Sequence, residues 1–153
     1  MLQQDWAVAR LKDWAAVIDG AIRAGGASVF IIAHGFGCLA AVRRLAECRM
    51  NVAGAMLVAP RDPSELGVDG PTEPFAIPTT LVASRNDPWM PFVQAKGLAQ
   101  RLGSRFVDAG EAGHIDAAAG YGPWRRGEQR LARLVVEAQA RERELRLAIA
   151  LAT

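Results

Sequence analysis

Short apolar runs alternate with amphipathic stretches along the chain. Apolar residues spaced three and four apart from Val8 to Ile22, followed by Gly25-Gly26, predict an amphipathic helix. The continuous run Val29–Ala33 is rich in β-branched residues, which is typical of a strand covered on both faces. Further strands are predicted at Ala53–Ala59, Thr79–Ser84 and Ser104–Asp108, and further helices at Gly37–Cys48, Pro91–Leu102 and Gly127–Leu151.

The alternation of strands and helices predicts the fold class. Consecutive strands with helices between them form right-handed βαβ crossovers, so we expect a short parallel α/β sheet flanked by helices. The proline-rich segment Pro60–Pro78 and the glycine-rich segment Ala109–Trp124 are predicted to be loops. No internal repeat or linker divides the chain, which predicts one domain over residues 1–153 with a helical extension from about residue 140.

Composition and charge narrow the class of protein. With 153 residues, 51% of them hydrophobic and 22% charged, the chain matches a globular domain with a full core. A net charge of +2, from basic residues scattered among acidic ones, argues against a nucleic-acid partner. No signal peptide and no membrane-length apolar stretch is evident, so we expect a cytoplasmic protein without a membrane partner. Cys38 and Cys48 indicate neither a disulfide framework nor a zinc site, and we expect no cofactor.

Three groups of residues that can carry chemistry follow the predicted strands. His34-Gly35-Phe36 comes after the first strand, Asp87 shortly after the third and His114 shortly after the fourth. Ligands of open α/β sheets lie beyond the carboxyl ends of the strands, so these groups are expected at one edge. Their order along the chain is that of the nucleophile, acid and base of the α/β-hydrolase triad.

The segment Ala33-His34-Gly35-Phe36-Gly37 fits the nucleophile turn of such enzymes except at its centre. The pattern is G-x-S-x-G, in which small outer residues relieve crowding between the strand and the helix. Ala33 and Gly37 meet that steric need, and Gly35 tolerates the strained backbone of the turn. The turn can therefore form, but Gly35 presents no hydroxyl group.

Several longer segments carry a resemblance to a known family. In order and combination they resemble the small serine hydrolases of the α/β-hydrolase superfamily typified by retinoblastoma-binding protein 9. The matching segments are DWAVARLKDW (5–14), IIAHGFGCLA (31–40), GAMLVAPRDP (54–63), LVASRNDPW (81–89) and GEAGHIDAAAGYGPW (110–124).

The resemblance implies roles for individual residues. It makes Asp87 the triad acid, His114 the base, Gly35 the occupant of the nucleophile position and the N–H of Phe36 an oxyanion donor. It implies a small-molecule ester or acyl substrate. The family begins with a strand and a loop that precede this chain, so we expect a minimal α/β-hydrolase that lacks the family's first strand. The strand at 29–33 would then have a bare edge through which the protein can self-associate.

Each of these residues also has an ordinary structural interpretation. Gly35 and Asp87 suit plain turns, and a lone histidine such as His114 is usually solvated. His34 is interpreted as a packing or hydrogen-bonding residue that can line the pocket. Cys38 is interpreted as a buried structural cysteine rather than a substitute nucleophile. The last two candidates, Trp89 and Trp124, either line an acyl pocket or pack as partly buried aromatic residues.

The missing hydroxyl leaves three functional hypotheses open. In the first, the chain is a pseudoenzyme that binds a ligand or a protein in the retained cleft. In the second, it represents an active serine hydrolase whose serine is replaced by Gly35. In the third, Asp87 and His114 activate water in the space left by the missing side chain. Loss of a triad nucleophile costs about a millionfold in kcat, so the chain as written is expected to be inactive or nearly so.

Overall fold

Strands and helices alternate along the chain, as the sequence predicts. The computed structural model describes residues 10–26, 28–47, 51–64 and 73–151. Val8 and Cys48, which belong to the first two predicted helices, lie outside the described residues, as does segment 65–72 of the predicted loop. The elements are α1 (Leu11–Ala24), β1 (Val29–His34), α2 (Phe36–Glu47), β2 (Val52–Val58), β3 (Thr79–Ala83), α3 (Phe92–Leu102), β4 (Arg105–Asp108) and α4 (Arg125–Leu151).

The four described strands form one parallel sheet in the order β1-β2-β3-β4. Each strand pairs with its neighbour in sequence, and all the carboxyl ends therefore point to the same edge. The expected parallel α/β sheet flanked by helices is confirmed. Among the described strands, β1 and β4 form the two sides of the sheet.

Apolar residues are buried on both faces of this sheet. Ile31 and Leu57 point to one face, where they pack with α1, α2 and α3 in the larger core cluster. Met56 and Val82 point to the other face, where they pack with Leu134 of α4 in a second cluster. Side chains alternate between faces along a strand, so an uninterrupted apolar run is needed to fill both clusters.

The C-terminal helix α4 is 27 residues long and only partly packed. Its buried residues are Gly127, Leu134 and Ala138, whereas residues 141–151 are all exposed. The predicted extension from about residue 140 thus continues α4 without a break in the helix. Within the described ranges, no helix has the length and apolarity needed to span a membrane.

Candidate active site

The turn between β1 and α2 is made by Gly35, whose φ is +56°. Its N–H donates to the carbonyl oxygen of Val58 at 3.1 Å. Its own carbonyl oxygen accepts from the N–H groups of Cys38, at 3.2 Å, and Arg61, at 3.3 Å. A φ in the left-handed region favours glycine, because a β-carbon is strained there. Glycine at residue 35 therefore makes the tight passage from strand to helix with the least backbone strain.

His114, in the loop after β4, pairs with Asp87, in the loop after β3. The Nδ1 atom of His114 lies 3.0 Å from Oδ1 and 3.1 Å from Oδ2 of Asp87. Both side chains are shielded, with 14% of His114 and 2% of Asp87 exposed. The Asp87 Oδ1 atom also accepts the N–H of Trp89 at 2.9 Å. An ionised carboxylate only accepts hydrogen bonds, so Nδ1 of His114 is the donor to Asp87, and in the neutral form of the ring Nε2 is then an acceptor.

The free ring nitrogen of His114 faces the turn. A β-carbon placed on Gly35 would lie 3.2 Å from Nε2 and 3.8 Å from Cε1 of His114. A hydroxyl group carried by that carbon would reach hydrogen-bond distance of Nε2, the distance a nucleophile and its base require. The three positions that the sequence predicts at one sheet edge are thus brought together, although their roles stay predictions.

His34 and Phe36 lie on either side of the turn. The Nε2 atom of His34 lies 2.8 Å from the carbonyl oxygen of His114, and the two imidazole rings meet edge to face with centroids 4.7 Å apart. Phe36 is the first residue of α2, so its N–H has no partner within the helix and points out of the helix end. Its ring packs edge to face against Trp14, at 5.2 Å between centroids.

A groove of 620 Å³ runs along β1 to this turn. One wall is the apolar face of α1, which contributes Trp14, Ile18 and Ile22. Near Gly35 the lining becomes polar. The polar side chains there are those of His34, Arg61 and His114.

The two candidate tryptophans have different surroundings, and neither side chain lines the groove in the described part of the chain. Trp89 is 46% exposed, and the guanidinium of Arg61 lies 4.3 Å from the centre of its ring. Trp124 instead packs against Tyr121, at 6.3 Å between ring centroids, in the core cluster beneath α4. Trp89 therefore contacts Arg61, which lines the groove, but does not line the groove itself. Trp124 packs on the face of the sheet that α4 covers.

Two polar residues that the sequence analysis did not single out connect the loops of Asp87 and His114. Ser84 is fully buried, and its hydroxyl donates to Oδ1 of Asn86 at 2.8 Å and accepts the N–H of Ala112 at 2.8 Å. The same Oδ1 of Asn86 accepts the N–H of Gly113 at 2.7 Å. These bonds fix the backbone on either side of the acid–histidine pair. In the sequence, the only indication of these two residues was that they are polar and directly follow the apolar run of β3.

Cys38 does not replace the missing hydroxyl. It is fully buried in the first turn of α2, and its thiol donates to the carbonyl oxygen of Val58 at 3.4 Å. Burial raises the pKa of the Cys38 thiol strongly, so it stays protonated and is a poor nucleophile. The interpretation of Cys38 as a structural residue agrees with this environment.

An ion pair lies beside the site, between the ends of β3 and β4. Asp108 Oδ2 accepts from Nε of Arg85 at 2.9 Å and from Nη2 at 2.6 Å. These two bonds, together with a third that the N–H of Gly110 donates to Oδ1, hold the pKa of Asp108 below its usual value. Across the described ranges, no three His, Cys, Asp or Glu side chains are grouped as a metal ion would require.

The parallel sheet, the glycine turn and the acid–histidine pair at its edge are the layout of an α/β-hydrolase. The family model described as serine hydrolase matches residues 1–133. The chain belongs to this serine hydrolase family. No curated protein sequence matches it significantly.

Solved structures agree with this assignment. A protein described as a YdeN-like hydrolase from Pectobacterium atrosepticum is 39% identical with a TM-score of 0.86, and the match covers 90% of this chain and 76% of that one. The ydeN gene product of Bacillus subtilis is 19% identical with a TM-score of 0.73, covering 89% and 81%. An α/β serine hydrolase homologue from Coxiella burnetii is 20% identical with a TM-score of 0.56, covering 95% and 62%. The last two likenesses concern the fold alone.

Proposed function

We propose that this chain is a serine hydrolase family member that keeps the acid and base of the triad but has lost the nucleophile. Asp87 is the acid, His114 the base, and the N–H of Phe36 an oxyanion donor. Gly35 occupies the nucleophile position. The observation that carries the proposal is the 3.2 Å between Nε2 of His114 and a β-carbon placed on Gly35.

The chemistry of a triad explains what Gly35 removes. A serine at this position would give its proton to Nε2 of His114 while its oxygen attacks the acyl carbon. Asp87 would hold the imidazole in the correct tautomer and stabilise the positive charge that develops. Without the hydroxyl no acyl-enzyme forms, which corresponds to a loss of about a millionfold in kcat.

The groove supports a binding function for the chain as it stands. Its 620 Å³ is within the usual range for small-molecule sites, and its apolar lining ends at polar groups beside Gly35. We propose that it binds small ester or acyl compounds, with the acyl group toward His34, Arg61 and His114. The protein is then a pseudoenzyme that recognises its ligand without consuming it.

The test is to restore the nucleophile. A fluorophosphonate probe, which labels activated serines, is applied to the unmodified chain and to Gly35→Ser. We expect labelling of Gly35→Ser alone. His114 must yield by a few tenths of an ångström to admit the new β-carbon, and the positive φ strains the serine, so moderate labelling is expected.

Matched variants separate a working triad from accidental reactivity. Gly35→Ala carries the same backbone strain without a hydroxyl and should remain unlabelled. Gly35→Ser combined with His114→Ala should lose labelling, because the base is absent. If folded Gly35→Ser stays unlabelled, Asp87 and His114 do not form a working pair and the proposal is wrong. Hydrolysis of p-nitrophenyl acetate by the unmodified chain that disappears in His114→Ala would instead support activation of water.

A further inference from the structure

A second cavity lies on the face of the sheet that α4 covers, beside the outer strand β4. Its volume is 420 Å³, which is within the usual range for small-molecule sites. Among its lining residues are Thr80 of β3, Arg105 of β4 and, on α4, Arg126, Gln129, Arg130 and Arg133. Strands β2 and β3 separate β4 from β1. The cavity is therefore distant from the outer side of β1, where the family's first strand is expected.

The arginines reach this cavity from two elements. Arg126, Arg130 and Arg133 are four and three residues apart, which places them on one side of α4. Arg105 is the strand partner of Thr80, so it extends from β4 on the same face of the sheet. Four guanidinium groups thus line one cavity.

These four cations contact only one carboxylate among the described residues. Glu137 pairs through Oε1 with both Arg105 and Arg133, the latter at 3.1 Å. The side chain of Arg126 has no hydrogen bond or ion pair with the described residues. Arg130 donates from Nη1 to the main-chain carbonyl oxygen of Arg126 at 3.2 Å, which does not neutralise its charge. Two guanidinium groups at the cavity are therefore left without a carboxylate in the described part of the chain.

The hydroxyl of Thr80 is an independent indication of a ligand. Side chains alternate along β3, so Thr80 points to the same face as Val82, toward α4. Thr80 is only 3% exposed, and its hydroxyl has no hydrogen-bond partner among the described residues, whereas that of Thr79 is bonded to Ser104 at 2.6 Å. A buried hydroxyl without a partner is costly. A ligand with acceptor oxygens would supply the partner.

We propose that this cavity binds a phosphate monoester, whose phosphate group contacts Thr80, Arg126 and Arg130. Such a group carries about 1.5 to 2 negative charges at pH 7 and three strong acceptor oxygens. It therefore matches two guanidinium groups that have no carboxylate partner and one hydroxyl donor, whereas a carboxylate ligand brings a single charge and two oxygens. Arg105 and Arg133 add attraction from the rim. The site is independent of the nucleophile position and of the groove along β1.

The test measures binding of phenyl phosphate to the full chain by isothermal titration calorimetry at pH 7.5 and low salt. Arg126→Gln and Arg130→Gln each remove one guanidinium group from the cavity. Arg143→Gln is the matched control, because Arg143 is also on α4 and donates to a carbonyl oxygen four residues earlier at 3.2 Å, but does not line the cavity. Thr80→Val exchanges the buried hydroxyl for a methyl group. Melting followed by circular dichroism checks that each variant is folded.

We expect the unmodified chain and Arg143→Gln to bind phenyl phosphate equally. Arg126→Gln and Arg130→Gln should bind about tenfold more weakly, because each loses a charge-assisted hydrogen bond. Thr80→Val should bind about threefold to tenfold more weakly but melt no lower than the unmodified chain, since its hydroxyl has no partner to lose.

Three results would overturn the proposal. The first is that phenyl phosphate does not bind, and the second is that Arg143→Gln weakens binding as much as Arg130→Gln, as for an ordinary solvated charged surface. The third is that benzoate, with one charge, binds as tightly as phenyl phosphate. Vesicles of phosphatidylcholine with and without phosphatidic acid then identify the source of the phosphate. Binding that requires phosphatidic acid and is lost in Arg130→Gln would assign the site to a lipid headgroup, and phenyl phosphate binding without vesicle binding would assign it to a soluble ester.

Discussion

At the scale of single residues, the position of His114 is determined by its neighbours on both sides. Gly113 and Ile115 have φ values of +55° and +51°, a region that a β-branched residue rarely adopts. Ile115 is nonetheless held there because its side chain is buried in the second core cluster. A strained backbone conformation of this kind persists only where the surrounding contacts hold it in place. The imidazole is thus directed toward Gly35 by packing as well as by Asp87.

The thiol of Cys38 should be unreactive in the folded protein. Its burial and raised pKa leave almost no thiolate, so alkylation by iodoacetamide at pH 8 should be about a hundredfold slower than in urea. Peptide mapping by mass spectrometry distinguishes Cys38 from Cys48. Fast labelling of native Cys38 would mean that the thiol is accessible, and the hypothesis of a substitute nucleophile would return.

The ion pair of Arg85 and Asp108 should make stability depend on acid pH. The pKa of Asp108 is lowered from its ordinary 3.8, chiefly by the hydrogen bonds from Arg85. The pair therefore stabilises the fold above pH 3.8, and this contribution is lost as the pH falls through the lowered pKa. Asp108→Asn should melt below the unmodified protein at pH 7, and the two melting temperatures should converge toward pH 2. Arg85→Gln should show the same pH dependence. A difference in melting temperature that stays constant between pH 7 and pH 2 would contradict the stabilising role of this ion pair.

At the scale of elements, the sequence predicted each described strand and helix to within about three residues. Continuous apolar runs produce this result because the strands are covered on both faces. The beginning of α4 was less visible. Gly127 suggested a helix start, but α4 begins two residues earlier, at Arg125, and Trp124 packs against Gly127 in the first turn. Spacing alone also does not show that Trp124 points away from the groove or that Arg61 enters it, since loop side chains are placed by tertiary packing.

Among the glycines of the described ranges, Gly127 is the one at which an added β-carbon would come nearest to another residue, and that residue is Trp124. A β-carbon on Gly127 would overlap the indole ring of Trp124. We expect Gly127→Ala to lower the free energy of unfolding by about 1 to 3 kcal/mol, as overpacking typically does. Urea denaturation measures the change.

Gly20→Ala is the matched control for that substitution. Gly20 lies inside α1, and a β-carbon there would meet no atom within 4 Å. Alanine should then raise the free energy of unfolding by about 0.5 to 1 kcal/mol, since glycine is the poorer helix former. If Gly127→Ala stabilised the protein as Gly20→Ala does, the contact between Trp124 and α4 would be refuted.

At the scale of the whole molecule, the family match and the packed core do not end at the same residue. The match ends at residue 133. Leu134 is only 1% exposed and Ala138 only 7%, so the core continues for about one and a half turns of α4. The side chains of residues 141–151 are exposed, which is consistent with the prediction that this part of α4 is an extension of the domain.

Truncation within α4 tests this division. A chain ending at Ala140 loses only exposed side chains of the described helix, so its free energy of unfolding should change by less than about 1 kcal/mol. A chain ending at Arg133, where the family match stops, also loses buried Leu134 and Ala138 and should be destabilised by about 2 to 5 kcal/mol. Urea denaturation of both chains measures the difference. If the chain ending at Ala140 were as unstable as the shorter one, residues 141–153 would be part of the folding unit, and the single domain would extend through the whole of α4.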